Sequence, residues 1–398
     1  MAGAKYLTGG QIPLNQTRPP DVHRERALLV GLYPPKIPTG KSDQRIAELM
    51  NLAETAGADV VAFARQHIRE IHPATYIGRG KVEELREAIA GSDIDLAILS
   101  RDLSPVQGRN LERLLHTRIV DRTALILDIF AQHAVTRDGK IQVELAQLRY
   151  LRPRLARGRP DLSRLGGGIG TRGPGETQLE IDRRRIDRRI EKLSREWSDI
   201  VRTGRIQRRA RRRRRVPTAV LVGYTNTGKS TILNRLTLAN VVTRDQLFST
   251  LDTTTRRLYL GENQIILVSD TVGFITDLPE ELLAAFRATL EVVEETDIIL
   301  HVVDSSSPYM ELQIEAVTQL LRTLHADTKP TVTIFNKWDC VRSPQAVREA
   351  QEWMQPSVVM SATQDETLSP LVEILGSLVD RLALEERREL AAHWAGGM

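Results

Sequence analysis

The 398-residue sequence predicts an α/β chain in three parts. Three observations carry that expectation. Short apolar runs alternate with helical-period segments over residues 23–135, two apolar helical stripes flank a glycine-rich run within 136–210, and an apolar strand feeds a Gly-Lys-Ser loop within 216–384. Residues 1–22 and 385–398 fall outside these patterns and read as tails.

In the first part, residues 27–31, 59–63, 96–99 and 118–120 read as strands, and 45–55, 80–90 and 107–115 as helices. Strands separated by helices predict a small parallel sheet. The stretch Tyr76-Ile77-Gly78-Arg79-Gly80-Lys81 reads first as a turn and helix start, with a phosphate or RNA contact as the alternative.

The middle part has two stripes. Ile141, Leu145, Leu148 and Leu155 form one, and Leu179, Ile186, Ile190, Leu193, Trp197 and Ile200 the other. The glycine-rich run at 166–175 holds neither helix nor strand, so the pair predicts an antiparallel helical hairpin with a long loop at its tip. Between Arg149 and Arg215 the chain carries 23 Arg and Lys against 8 Asp and Glu, although the whole protein is only +5. A block of that sign favours a polyanion such as nucleic acid over a merely solvated helix face.

Composition narrows the class. One cysteine, Cys340, excludes an internal disulfide, the first twenty residues hold no apolar core of signal-peptide length, and no apolar run approaches the ~20 residues of a membrane span. A reducing, cytoplasmic setting, a protein without a membrane span and a monomeric working form are the expectations.

The third part carries the chemistry. After the apolar run 218–222 comes Gly223-Tyr224-Thr225-Asn226-Thr227-Gly228-Lys229-Ser230, which matches G-x-x-x-x-G-K-[ST] and precedes a helix. Glycines let backbone N–H groups close on phosphate oxygens, Lys229 reaches the β and γ phosphates, and the Ser230 hydroxyl ligates Mg²⁺. This is the P-loop of a Ras-like G domain once the downstream motifs are added. Asp270-Thr271-Val272-Gly273 ends a second strand. Asp270 is suited to hold Mg²⁺ through water, and the Gly273 amide to meet the γ-phosphate. Asn336-Lys337-Trp338-Asp339 follows a third strand, and its carboxylate matches the N1–H and exocyclic amine of guanine, a donor pair that adenine lacks. Ser361-Ala362-Thr363 fits the motif whose backbone amide meets guanine O6.

A threonine between the P-loop and Asp270 should complete the Mg²⁺ shell. Phe248-Ser249-Thr250-Leu251-Asp252, followed by Thr253, Thr254 and Thr255, offers four candidates, of which Thr250 is favoured because it lies twenty residues after Ser230. Phe274 stands where Ras-like proteins place a glutamine that orients the attacking water. A phenyl ring cannot hydrogen-bond that water, so slow intrinsic turnover and stimulation by a partner are expected.

The run Arg172-Gly173-Pro174-Gly175-Glu176-Thr177-Gln178-Leu179-Glu180, with Asp182-Arg183-Arg184, Gly223-Tyr224-Thr225-Asn226, Phe248-Ser249-Thr250-Leu251-Asp252 and Asp270-Thr271-Val272-Gly273-Phe274, resembles the HflX family of ribosome-associated GTPases over most of the chain. The resemblance implies binding to the large ribosomal subunit, a role in splitting or rescuing stalled or stressed ribosomes, and a hairpin tip near the peptidyl-transferase centre. Two departures stand out: Thr253 replaces the proline usual after Leu-Asp, and almost no further domain follows residue 384. The expected activity is GTP to GDP and phosphate, with Lys229, Gly273 and Thr250 as catalytic groups and Ser230 and Thr250 as metal ligands. A nucleotide-regulated switch of negligible turnover that signals to a protein partner is the alternative. An ATP-using kinase or helicase is disfavoured by Asp339.

Overall fold

The computed structural model describes residues 5–6, 24–155, 174–213, 216–237, 247–248, 254–261, 264–276, 282, 290–364 and 367–395. Of the glycine-rich run 166–175, residues 166–173 lie outside that set, whereas Pro174 and Gly175, expected to hold neither helix nor strand, open a helix, where proline is tolerated in the first turn. Two compact units divide between Ile200 and Val201.

The first unit holds a sheet in the order β1-β3-β2-β4-β5, all parallel, with β1 Lys5–Tyr6, β2 Arg26–Tyr33, β3 Asp59–His67, β4 Leu96–Leu99 and β5 Arg118–Val120. β2 is buried along nearly its whole length, as a strand covered on both faces must be. Helices α1 Thr39–Thr55, α2 Arg79–Ala90 and α3 Pro105–Leu115 connect the strands. α3 starts two residues before the sequence suggests because Ser104 and Gln107 form a capping box around Pro105. α1 starts six residues early, through Gly40, which the sequence reading treats as loop. A fourth helix, α4 Arg122–His133, was not anticipated. Its run of Leu125, Ile126, Leu127, Ile129 and Phe130 is buried on nearly every side, which hides helical period.

The hairpin is formed by α5 Arg137–Leu155 and α6 Pro174–Arg213. Ile141, Leu145 and Leu193 make its core, with Leu148, Ile190, Trp197 and Ile200 packed around them. Ion pairs fix the register. Arg152 meets Asp187, the Nε and Nη2 of Arg189 donate to the two oxygens of Glu144 at 2.6 and 2.7 Å, and Arg137 meets Glu196 at 3.3 Å. Partner numbers on α6 fall broadly as those on α5 rise, so the helices run antiparallel.

Where α5 ends, Asp121 ties it to the sheet. Its carboxylate is 3% exposed and caps α4 through the Ala124 N–H at 2.9 Å. It also accepts from the Tyr150 hydroxyl at 2.8 Å, Arg154 Nη2 at 2.8 Å and the Leu103 N–H at 3.2 Å. The Arg154 guanidinium lies over the Tyr150 ring, 3.4 Å from its centroid.

The second unit holds a sheet in the order β11-β10-β9-β6-β8-β7, with β6 Thr218–Gly223, β7 Thr254–Tyr259, β8 Ile265–Asp270, β9 Ile298–Asp304, β10 Thr331–Asn336 and β11 Ser357–Val359. Only the β7–β8 pairing is antiparallel. α7 Lys229–Thr237, α8 Met310–Thr323, α9 Pro344–Trp353 and α10 Ser369–Ala395 are among its helices. Ile232 and Leu233 pack with Val302, Ile334, Leu371 and Leu375 in the main core. α10 continues past residue 384, where the sequence reading ended the domain. No helix among the described residues is long and apolar enough to cross a membrane.

Asp121→Ala removes a helix cap and a carboxylate shared by four donors. It should lower the urea stability of the first unit by about 3 kcal/mol or more. A loss below about 1 kcal/mol, read by amide exchange in α4, contradicts this account.

Candidate functional site

The candidate residues gather beyond the C-terminal ends of the parallel strands β6, β8, β9, β10 and β11, the edge at which open α/β sheets hold ligands. β6 is flanked by β8 and β9, so the loop leaving it emerges at the middle of that edge.

Close packing decides the residue types in this loop. A side chain at Gly223 would place its Cβ 2.2 Å from the Val302 carbonyl oxygen, and one at Gly228, whose φ is +92°, 2.3 Å from Asn336 Nδ2. Asn226 also has positive φ, which asparagine tolerates better than most residues. Thr227 Oγ1 donates to the Tyr224 carbonyl at 3.0 Å. Lys229 and Ser230 open α7, so the loop runs directly into a helix start, the end of a helix that favours an anion.

Lys229 is 6% exposed, and its ammonium donates to the Gly223 and Tyr224 carbonyls at 3.1 and 2.8 Å. Burial pushes its pKa down to about 8, while Asp270 pulls it back up. Beside it, Ser230 Oγ donates to Asp270 Oδ2 at 2.6 Å, and both residues are buried. Thr271 turns its hydroxyl to the Leu221 carbonyl at 2.7 Å, and Val272 is buried. Gly273 lies against the loop: a Cβ there would come within 2.8 Å of Thr225 Cα and 3.1 Å of Lys229 Nζ.

The segment after Gly273 is fastened to the loop. The Phe274 N–H donates to the Gly223 carbonyl at 3.1 Å, and the Thr225 N–H to the Phe274 carbonyl at 2.8 Å. Tyr224 adds a side-chain clasp. Its hydroxyl pairs with Thr276 Oγ1 at 2.7 Å and accepts the Thr276 N–H at 2.9 Å. Thr276 escaped the sequence reading because nothing local marks it; only the fold brings it to Tyr224. Buried Phe248 has positive φ, and Ser249, Thr250, Leu251 and Asp252 lie outside the described residues.

The other end of the site rests on β10 and β11. Asn336 Nδ2 donates to the Thr227 carbonyl at 2.8 Å, and its Oδ1 accepts the Ala362 N–H at 2.9 Å. Of the backbone amides in the Ser361-Ala362 motif, that of Ala362 is thus engaged by Asn336, as a buried N–H must be by something. Lys337 adopts left-handed φ and pairs with Asp304 at 2.8 Å. Asp304 is a residue the sequence reading missed; β9 register sets it opposite Asn336. Trp338 and Asp339 are exposed on a single 3₁₀ turn. Asp339 accepts from Ser361 Oγ, and that bond holds its carboxyl below the usual range. Thr363 Oγ1 lies 2.8 Å from Ser361 Oγ.

The chain matches three family models: "GTP-binding GTPase N-terminal" over 43–131, "GTP-binding GTPase Middle Region" over 133–212 and "50S ribosome-binding GTPase" over 218–337. It is 48% identical to GTPase HflX of Lacrimispora saccharolytica, covering 89% of this chain and 83% of that protein. It is also 40% identical to GTPase HflX of Escherichia coli, over 91% and 84%. A GTP-binding protein of Sulfolobus solfataricus solved with GDP is 23% identical, over 90% of this chain and 99% of that one, at a TM-score of 0.45. On its sequence relatives the chain belongs to the HflX family of GTPases.

Proposed function

We propose that this GTPase hydrolyses GTP to GDP and phosphate on the large ribosomal subunit, and that the accompanying conformational change splits or rescues stalled or stressed ribosomes. The observation that carries the nucleotide chemistry is the meeting of Lys229, Gly273, the Ser230–Asp270 pair and the Asn336-linked base loops on one sheet edge. For the partner, support comes from the matched "50S ribosome-binding GTPase" description and from the basic arm.

Lys229 is the phosphate anchor. Its ammonium is buried against the loop carbonyls, so an arriving β or γ phosphate meets a cation already stripped of water. The Gly273 amide stands across from it to sense the γ-phosphate, and Asp339 reads the base with Ser361 holding its carboxylate in place. Ser230 and Asp270 present hard oxygen donors side by side, which fits Mg²⁺, with Thr250 as the further ligand. When bound, that ion neutralises charge on the β and γ phosphates. The working form is a monomer in the cytoplasm, where its ribosomal partner resides.

The basic arm is not uniformly available to RNA. Arg137, Arg152 and Arg189 are committed to pairs across the hairpin and Arg154 to Asp121, while Arg183 and Arg188 are exposed and unpaired among the described residues. Sedimentation with purified large subunits, with GDP or a non-hydrolysable GTP analogue, tests the partner. Affinity should fall roughly 10³-fold or more between about 50 and 200 mM salt. Arg183→Ala with Arg188→Ala should flatten that slope by about two, at ~0.9 per lost contact, whereas Arg154→Ala should leave it unchanged. Salt-insensitive binding, or no rise in GTPase rate on adding subunits, removes the ribosomal reading.

Lys229 predicts a pH dependence. The free protein loses the Lys229 proton above about 8, whereas bound phosphate holds it on, so affinity is full below that pH and falls as pH rises through it. GDP binding should weaken several-fold from pH about 8 to about 9, and Lys229→Arg, which stays charged, should lose that part of the slope. An identical slope in both proteins contradicts the assignment.

Base selection is checked by Asp339→Asn. An amide opposes guanine's exocyclic amine but complements the carbonyl of xanthine, so preference should move from GTP to xanthosine triphosphate, with GTP binding weakened by several kcal/mol. Unchanged GTP affinity by calorimetry assigns base reading elsewhere.

A further inference from the structure

Among the described residues of the phosphate loop 223–230 and of the segment 270–276 that lies against it, the hydroxyls have partners, with one exception. Thr227 bonds to the Tyr224 carbonyl, Ser230 to Asp270, Thr271 to the Leu221 carbonyl, and Tyr224 to Thr276. Thr225 Oγ1 is buried and has no hydrogen-bond partner among the described residues, and the residue is only 6% exposed. Buried hydroxyls are rarely left so, because they have given up water for nothing. The position is also informative. A Cβ on Gly273 would lie 2.9 Å from Thr225 Cγ2 and 3.1 Å from Lys229 Nζ, so Thr225, Gly273 and Lys229 converge where a γ-phosphate is to be sensed. Phe274, next along, is 5% exposed and spends its main-chain N–H and carbonyl on the loop, so it offers water no polar contact.

We propose that the Thr225 hydroxyl is a catalytic group of this GTPase: it accepts a hydrogen bond from the attacking water and donates its own to a γ-phosphate oxygen. The water oxygen forms the bond to the γ-phosphorus, the bond to the β–γ bridging oxygen breaks, and its electron pair leaves with GDP. The water's proton passes to the phosphate, and Thr225 ends the step with its own proton in place. A threonine hydroxyl has both the donor and the lone pairs this requires. The proposal rests on the GTPase reading and adds to it the group that Phe274 does not supply.

The test compares Thr225→Val, which keeps the shape and removes the hydroxyl, with Thr225→Ser, which restores it. Thr225→Val should lower kcat by about 100-fold while KM and GDP affinity stay within about threefold, and should weaken binding of GDP with aluminium fluoride by a comparable factor. Thr225→Ser should recover most of the rate. The melting temperature of nucleotide-free Thr225→Val should equal or exceed that of the parent, since an unpaired polar atom is gone. A kcat unchanged in Thr225→Val overturns the proposal, as does a loss of GDP affinity that matches the loss of rate, or a serine variant as slow as the valine one. A parent protein that binds GDP yet turns over no GTP overturns the enzyme reading as well, and is told apart because the valine variant then has no rate to lose.

Discussion

The carboxamide of Asn336 is the joint on which the site depends. It is 1% exposed at the end of β10, and it donates to the Thr227 carbonyl and accepts from the Ala362 N–H. Its own main-chain carbonyl takes the Ser305 N–H at 2.9 Å. Loops following β6, β9 and β11 are thereby held to one residue, the first and last through its side chain and the middle one through its main chain, although they are far apart in sequence. Leaving any of these buried groups unpaired costs about 1–3 kcal/mol, so the loops are positioned together or not at all. Gly228 follows from the same joint. The glycine is demanded by the approach of the asparagine amide as much as by an anion.

The same accounting applied to the arm separates charge that builds the hairpin from charge left for a partner. Arg189 meets Glu144 through two parallel bonds, and Arg152 and Arg137 pin the helices on either side of that point. Exposed pairs of this kind contribute little each, yet they fix register over a core that is only a single stripe of apolar residues. Arg154 goes further: stacked on Tyr150 and bonded to Asp121, it fastens the end of α5 to the loops after β4 and β5. The direction in which the chain leaves for the glycine-rich run is therefore set by the first unit, and a charge counted as basic in the sequence is spent on that geometry.

What the sequence made legible was the set of features with local causes. Strand, glycine loop and helix start follow from neighbours in the chain, so β6, the loop and α7 read correctly, as did the middle of the two hairpin stripes; Leu155, at the end of the first, is exposed instead. The motifs at Asp270 and Asn336 were recognisable because each ends an apolar strand. Features with distant causes were not legible. α4 has no period because Leu125, Ile126 and Phe130 are all covered, and the partner that covers them is set by the fold. Thr276 and Asp304 acquire meaning only through Tyr224 and Lys337. The unpaired state of Thr225 cannot be read from a sequence at all, since it is defined by what fails to reach it.

Phe274 illustrates how the resting arrangement constrains any switch built on it. Its register is set by main-chain bonds to Gly223 and Thr225, which any residue type can make, so the side chain is free to be apolar and is buried. Tyr224 and Thr276 add two further bonds a few residues on. At roughly 1 kcal/mol net for each, the four bonds oppose displacement of this segment by about 4 kcal/mol. Carrying a two-state element from about 1:99 to 99:1 needs about 5.5 kcal/mol of differential binding, and a ligand indifferent to the two states moves nothing. A γ-phosphate that gains the Gly273 amide and the Lys229 ammonium can offset a clasp of this size, but with little margin. A partner that grips the arm adds to that margin only if its contacts differ between the two positions of the segment. A basic surface alone therefore gives affinity, and coupling must come from contacts to the second unit itself.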